Sequence, residues 1–186
     1  MSEFRFEPLS SQDVSAFASG ESALDNYLKT TARNDVVRKL SSVHLAIDIS
    51  NDEIAGFYAI SSYSVTRSEL SKKLQGKYPY LMLPAFLIGQ LARDTKYFGK
   101  SVGEVLLLDA LERCYGLTNV VGGIAVVVES INDNATAFYR RYGFENLGDG
   151  SDGRLYLPMK VIEKLYQHRL GTAFKNAPEM RVEPPR

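Results

Sequence analysis

Apolar side chains fall at helical spacing early in the chain, at Ala23, Leu24, Tyr27, Leu28 and Ala32, which predicts an amphipathic helix with Ser19 as its cap. Its opposite face carries Lys29, Arg33, Arg38 and Lys39 against Asp25 and Asp35. Ahead of it, residues 5–9 read as a short strand and residues 11–18 as a helical turn. Two runs of strand character, residues 43–49 and 54–65, flank the turn Asn51-Asp52 and predict a hairpin. Residues 68–75 fit a short helix and residues 85–94 a third strong strand. The stripe Val102, Val105, Leu106, Ala110, Leu111, Cys114 predicts a long helix over 101–115, with Gly116 as its stop. Residues 123–130 form a nearly continuous β-branched run, the mark of a strand buried on both faces. The next helix, over 133–142, closes at Gly143 in a left-handed cap. Strands over 144–147 and 154–158 and a helix over 161–167 follow, and the three prolines within 176–186 suit a trailing end. The β-α-β order of the second half makes this an α/β chain, with hairpins added in front and some parallel pairing.

Length and charge then narrow the class. At 186 residues and 20.7 kDa the chain suits one domain, which buries roughly 70% of the surface its unfolded form exposes. We expect that domain over residues 1–170 and a flexible tail over 171–186. The 22 Lys and Arg equal the 22 Asp and Glu, which excludes a protein that coats polyanions by bulk charge and leaves any nucleic-acid contact to a local patch. One cysteine, Cys114, excludes an internal disulfide, and with only two histidines, His44 and His168, no metal centre is expected. The opening Met-Ser-Glu-Phe-Arg-Phe-Glu-Pro lacks the apolar core of a signal peptide. The most apolar stretch, residues 80–92, is broken by Pro84 and shorter than the ~20 residues that span a bilayer. The expectation is a soluble, cytoplasmic protein with no membrane partner.

Two places carry candidate chemistry. The turn Phe98-Gly99-Lys100-Ser101-Val102-Gly103 joins a strand to the long helix. Small residues let backbone N–H groups approach an anion there, and the helix N-terminus adds partial positive charge, so a diphosphate fits. Neither the Walker pattern nor the dinucleotide glycine pattern is present. The same residues also read as a tight turn with a serine cap. Ser101-Val102-Gly103-Glu104 matches the Ser-x-x-Glu capping box, with Ser101 Oγ reaching the Glu104 N–H. A cap and a phosphate compete for the same N–H groups, and the sequence leaves both open. The second place is Asn132-x-x-Ala135-x-x-x-Tyr139-x-x-x-Gly143-Phe144. Ala135 and Tyr139 share a helix face, Asn132 ends the strand, and Tyr139 offers a phenol that can protonate a leaving group.

Together these units resemble the GNAT N-acetyltransferase superfamily, over about residues 85–144. Three further stretches narrow the likeness: Phe17-Ala18-Ser19-Gly20-Glu21-Ser22-Ala23-Leu24-Asp25-Asn26-Tyr27-Leu28-Lys29, Gly56-Phe57-Tyr58-Ala59-Ile60, and Ile88-Gly89-Gln90-Leu91-Ala92-Arg93-Asp94. They are similar to the acetyltransferase toxins of type II toxin–antitoxin systems, the branch that acetylates aminoacyl-tRNA, and the resemblance then spans most of residues 5–165. It implies a GNAT fold: a central mixed, mostly antiparallel sheet with a splayed parallel strand pair and helices on both faces. It implies acetyl-CoA as co-substrate, aminoacyl-tRNA as substrate, a ribbon-helix-helix antitoxin whose tail covers the active site, and commonly a homodimer. Backbone groups of Leu91, Ala92 and Arg93 stand where the family holds the pantetheine arm and polarises the thioester carbonyl. Gly99, Lys100, Ser101, Val102 and Gly103 stand at the pyrophosphate loop, Asn132 at a side-chain contact to pantetheine, and Tyr139 at the phenol that protonates the departing thiolate. The chain departs from the family pattern with Phe98 in place of Gln or Arg and Ser101 in place of Gly. The first loses a polar group near the phosphates. The second adds a Cβ where backbone meets ligand, and a positive φ there costs ~1 kcal/mol or more. Acetyl-CoA binding weaker than in a Gly-containing relative is therefore expected.

Which amine accepts the acetyl group follows from protonation. A lysine of pKa ~10.4 loses its proton at pH 7 at a cost of about 4.6 kcal/mol, an α-amine of pKa ~7.7–8.0 at about 1 kcal/mol. A lysine acetylator needs a positioned base, and the candidates are thin. Glu129 reads more readily as a solvated strand-end carboxylate, His44 as a packed or surface residue, and Cys114 as core. An α-amine acceptor is favoured. For tRNA, the candidate basic patch is Lys29, Arg33, Arg38 and Lys39 with Arg140 and Arg141 beside Tyr139, and Lys96 and Lys100 by the loop, although such charges are equally what a solvated face carries. A GNAT acetyltransferase of a small-molecule amine or protein lysine, or a degenerate, non-catalytic GNAT-fold binding protein, stand as alternatives.

Overall fold

The computed structural model of the protein describes residues 3–173. The β-branched run forms β5 (Ala125–Glu129), with Val126 and Val128 in one apolar cluster and Ala125 and Val127 in another, so both of its faces are covered. It sits within a seven-stranded sheet of order β1-β2-β3-β4-β5-β7-β6. β1 (Phe4–Pro8), β2 (Ser42–Asp48), β3 (Ile54–Thr66) and β4 (Met82–Arg93) run as an antiparallel meander. β4 pairs with β5 in parallel, and β7 (Arg154–Pro158) and β6 (Glu145–Asn146) complete the far edge in antiparallel fashion. This is the mixed, mostly antiparallel sheet that the resemblance implied.

Helices cover both faces. On one, α4 (Val102–Leu117) and α6 (Met159–Ala173) bury Leu106, Leu107, Leu111 and Ile162 against Tyr58, Ile60, Ile88 and Val126. Each such aliphatic side chain contributes ~1.5–3 kcal/mol on burial. α5 (Asp133–Arg141) adds Tyr139 to the same cluster. On the other face, α1 (Ser22–Asn26) and α2 (Ala32–Val37), joined by a π-helical stretch over Tyr27–Thr31, seat Leu24, Leu28 and Ala32 on Leu45, Phe57 and Ala59. The approach of α4 to the sheet is close enough to require a glycine: a Cβ on Gly56 would lie 2.7 Å from both Leu106 Cδ1 and the Ala92 carbonyl.

The feature that positions the site is where β4 and β5 part. Their ladder holds only Phe86↔Val126, Leu87↔Val127 and Ile88↔Val128. The β3–β4 register shifts there, from Ala59↔Gln90 to Ile60↔Ile88, so Gly89 bulges and bends β4 away. β4 then continues to Arg93 without a strand partner on that edge, while β5 stops at Glu129.

Several expectations are corrected. Residues 11–18 hold only a turn, not helix. Ser19 does not cap α1, whose N-cap is Glu21; instead its N–H and hydroxyl both donate to Asp25 Oδ1, at 2.8 and 2.6 Å. The single helix expected there is present, running without interruption over residues 22–37 with a π-helical stretch at Tyr27–Thr31. Residues 68–75 divide into a 3-10 turn over Arg67–Glu69 and α3 (Lys72–Gln75). Gly116 does not stop α4, which runs one residue further, whereas Gly143 ends α5 at φ +87°, as expected. Of the tail expected over 171–186, residues 171–173 continue α6, and the remainder, with the prolines of 176–186, lies outside the described residues. Among the described residues no helix is long and apolar enough to cross a membrane.

Candidate active site

The site begins where β4 ends. Asp94, buried, accepts hydrogen bonds from the Lys96 N–H and the Ala18 N–H, both at 2.9 Å, and so fixes the exit of the strand against the N-terminal segment. A 3-10 turn over Thr95–Tyr97 leads to Gly99 at φ +75° and Ser101 at φ +56°, ψ 18°. The capping box expected at Ser101 is absent: in this left-handed conformation its side chain makes no cap hydrogen bond. Among the described residues the N–H groups of Gly99, Ser101, Val102, Gly103 and Glu104 have no acceptor. Five amides and the positive end of a long helix therefore face one spot, the arrangement that suits an anion.

That spot opens into a cleft of about 570 Å³. β4 contributes Leu91, Ala92 and Arg93, the loop and first turn of α4 contribute Phe98, Gly99 and Ser101 through Glu104, and α5 contributes Phe138, Arg141 and Tyr142. The structure thus brings together Leu91, Ala92, Arg93, Gly99, Ser101, Val102 and Gly103. Lys100 points elsewhere, its Nζ 4.7 Å over the Tyr97 ring. Asn132 also stands apart. It caps α5, accepting from the Ala135 N–H at 2.9 Å, and lines a separate polar hollow with Ser130, Thr136 and Arg140. Sequence reasoning missed Phe138 and Tyr142 as cleft wall. Their spacing with Arg141 does mark one helix face, and the Phe138 ring lies over Gly103, 3.7 Å from where a Cβ would stand, an ordinary contact distance.

Tyr139 lies behind this wall. It is 6% exposed, packed between Phe138 (5.2 Å) and Phe144 (5.5 Å), in the cluster that holds Ile88 and Val128, the last paired residues before the strands part. Burial pushes its hydroxyl up to about 12. Among the described residues that hydroxyl has no hydrogen-bond partner. The phenol is therefore protonated, and it packs in the core cluster of Ile88 and Val128 rather than in the lining of the broad cleft.

Comparison with known proteins is decisive on kinship. No protein-family model matches the chain. A tRNA-acetylating toxin of Mycobacterium tuberculosis is 34% identical over 133 residues, covering 72% of this chain and 78% of the relative. The chain belongs to this family of acetyltransferase toxins. A probable toxin TacT of Sinorhizobium fredii agrees, 31% identical over 170 residues and covering 86% of this chain and 93% of the relative. Among solved structures, a tyrosine-to-phenylalanine mutant of KacT superposes with a TM-score of 0.82 at 30% identity, over 87% of this chain and 98% of that one. AtaT complexed with acetyl-methionyl-tRNAfMet gives 0.81 at 27%, over 88% and 99%. AtaTR bound with AcCoA gives 0.77 at 28%, over 88% and 98%. An AtaT–AtaR complex on DNA gives 0.69 at 25%, over 87% and 99%.

For a toxin of this family the remaining candidates sort readily. Lys29, Arg38 and Lys39 are exposed, but Arg33 is spent: its Nε donates to the Ser10 carbonyl at 2.9 Å and its Nη2 to that of Gln12. Arg140 donates to Asn146 Oδ1 at 2.6 Å on the polar hollow, Arg141 belongs to the cleft, and Lys96 pairs with Glu53 at 3.1 Å. The basic set is scattered over several surfaces. Glu129 is an exposed strand end. His44 is buried, and burial with the nearby Arg113 charge lowers it to about 4, while burial lifts the Cys114 thiol to about 12. Burial closes His44 and Cys114 to work as base or nucleophile, while Glu129 stays exposed.

Proposed function

We propose that this chain is the toxin of a toxin–antitoxin pair and transfers the acetyl group of acetyl-CoA to the α-amino group of aminoacyl-tRNA, blocking translation. One observation carries the reading: the unpaired amides at the start of α4 and the end of β4, beyond its pairing with β5, line a single cleft. A diphosphate on those amides lays the pantetheine arm along Leu91–Arg93, with the thioester toward Tyr139. The neutral α-amine attacks the thioester carbon, a C–N bond forms, and the C–S bond breaks as the tetrahedral oxyanion collapses. The amine's surplus proton must end on sulfur, and Tyr139 is the group we assign to donate to the thiolate and be reprotonated from the amine side. A phenol raised to about 12 stays protonated throughout the working pH range, which suits a donor and not a base. With His44 and Cys114 buried, the thin set of bases agrees with an α-amine, which needs little help to be neutral. Relatives named as tRNA-acetylating, and neighbours solved with acetyl-methionyl-tRNAfMet, with AcCoA and with AtaR on DNA, support the same substrate, co-substrate and an antitoxin partner. Such work belongs in the cytoplasm, with charged tRNA.

The test is labelled acetyl-CoA with a panel of charged tRNAs. Acetylated aminoacyl-tRNA is expected from the native chain, and Tyr139→Phe is expected to lose activity by roughly 10²-fold or more with acetyl-CoA binding intact. Acetylation of polyamines or peptides with indifference to tRNA would replace the substrate, absence of acetyl-CoA binding would leave a non-catalytic binding protein, and full turnover in Tyr139→Phe would remove the role given to the phenol.

A further inference from the structure

The end of β4 offers more than backbone. Arg93 is half-buried on the same strand edge as Leu91, and its guanidinium carbon sits 4.5 Å from the centre of the Phe98 ring. Phe98 is 77% exposed, an apolar ring held out at the lip of the cleft with no core to fill. What it touches is the flat face of Arg93. An aromatic platform of this kind fixes a guanidinium plane without consuming its N–H donors. Those donors are nearly all free: the one hydrogen bond is a long 3.5 Å contact from Nη1 to the Asp94 carbonyl, and among the described residues no carboxylate lies within ion-pair distance. A fork of unspent donors thus stands at the lip of the cleft that also collects the unpaired amides of Gly99, Ser101, Val102, Gly103 and Glu104. An immobilised guanidinium beside converging amides is the pairing that grips a phosphate bidentately.

Building on the coenzyme reading above, we propose that Arg93, braced on Phe98, is the side-chain ligand of the coenzyme's diphosphate, so that this toxin takes its phosphate charge contact from the last residue of β4. The reading explains why a large ring is exposed at this lip, and it makes Arg93 and Phe98 one functional unit: Arg93 touches the phosphates, and Phe98 positions Arg93.

Calorimetric titration of the full chain with CoA, with dephospho-CoA and with pantetheine tests this. CoA carries the diphosphate and a 3′-phosphate, dephospho-CoA the diphosphate alone, and pantetheine neither. Arg93→Ala is expected to weaken CoA and dephospho-CoA equally, by about 10- to 100-fold, to leave pantetheine unchanged and to leave the melting temperature within a degree or two. Arg93→Lys, which keeps charge but loses the fork, is expected to recover part of the loss. Phe98→Leu should weaken both phosphate-bearing ligands by about 2- to 5-fold and have no further effect in the Arg93→Ala background. Unchanged affinity in Arg93→Ala overturns the proposal while the coenzyme reading stands. A loss seen with CoA and not with dephospho-CoA overturns it too, by moving the contact to the 3′-phosphate. A native chain that binds none of the three overturns both the proposal and the coenzyme reading beneath it.

Discussion

His44 shows how one residue can be legible in type and hidden in consequence. It lies on β2, stacked on Tyr58 at 5.3 Å, and its Nδ1 has no partner among the described residues. Tyr58 donates to Asp109, which also pairs with Arg113 at 2.8 Å, so the imidazole faces one cation and one carboxylate across a buried ring. Burial dominates, Arg113 adds to it, and Asp109 opposes; the result is about 4 against an ordinary 6.5. The unfolded chain then binds a proton below about 6.5 that the folded chain refuses until about 4, so stability falls as the pH drops through that window. At pH 5 the loss from this one side chain is about 2 kcal/mol (roughly 1.5 × 1.36). Urea unfolding at pH 7 and pH 5 checks it: His44→Phe keeps the stack and should remove most of the difference. An equal pH dependence in the variant would place the acid sensitivity elsewhere.

At the scale of elements, the turn before α4 governs both fold and site. Val102 and Leu106 are buried beneath it, so packing of α4 sets its direction, and Ser101 takes a left-handed φ of +56° to deliver them. The cost, about 1–2 kcal/mol for a side chain in that region, is therefore a folding cost. Ser101→Gly relieves it but adds freedom to the unfolded chain, for a net gain near 0.5 kcal/mol and a rise in melting temperature of about 1–2 °C; Ser101→Val should lower it. A scanning fluorimetry result with Gly below Ser would contradict this, and titration of the same variant with acetyl-CoA separates the remaining question, whether the Cβ also obstructs the ligand. Here the limits of sequence reading have a physical cause. β5 and α4 were legible because an unbroken β-branched run and a 3.6-period stripe are local signals. The turn before α4 was legible as small residues between a strand and a helix. The left-handed serine was raised only through the glycine that the family carries at that place, because its dihedral is imposed by distant packing and its residue type argued for a cap. Phe138 and Tyr142 were not legible: in sequence they look like core and in the fold they form a wall facing outward. The π-helical stretch over Tyr27–Thr31 had no local signal at all.

For the whole molecule, the proposed substrate poses the question of how a chain without net charge would hold a polyanion. The candidate cations do not form one patch: Lys29, Arg38 and Lys39 lie on or just after the helical stretch over residues 22–37, Arg140 beside the polar hollow, Arg93 and Arg141 in the cleft. Bulk attraction could not therefore do the work, and on the proposed function tRNA would be held by a few phosphate contacts with geometry supplied by the aminoacyl end. If three or four phosphates are neutralised, affinity should fall by roughly 20- to 150-fold between 50 and 200 mM salt, from a slope of about −0.7 to −0.9 per contact. The double substitution Arg38→Ala with Lys39→Ala should flatten that slope by about 1 to 2 and leave the melting temperature alone. Arg33→Ala should do the reverse, lowering thermal stability with little effect on the slope, because Arg33 is the clasp that holds the Ser10 and Gln12 carbonyls to α2. Filter binding of charged tRNA across that salt range reads both. A flat native response would mean that the acceptor is recognised without its phosphates, and a small amine would then be the better substrate.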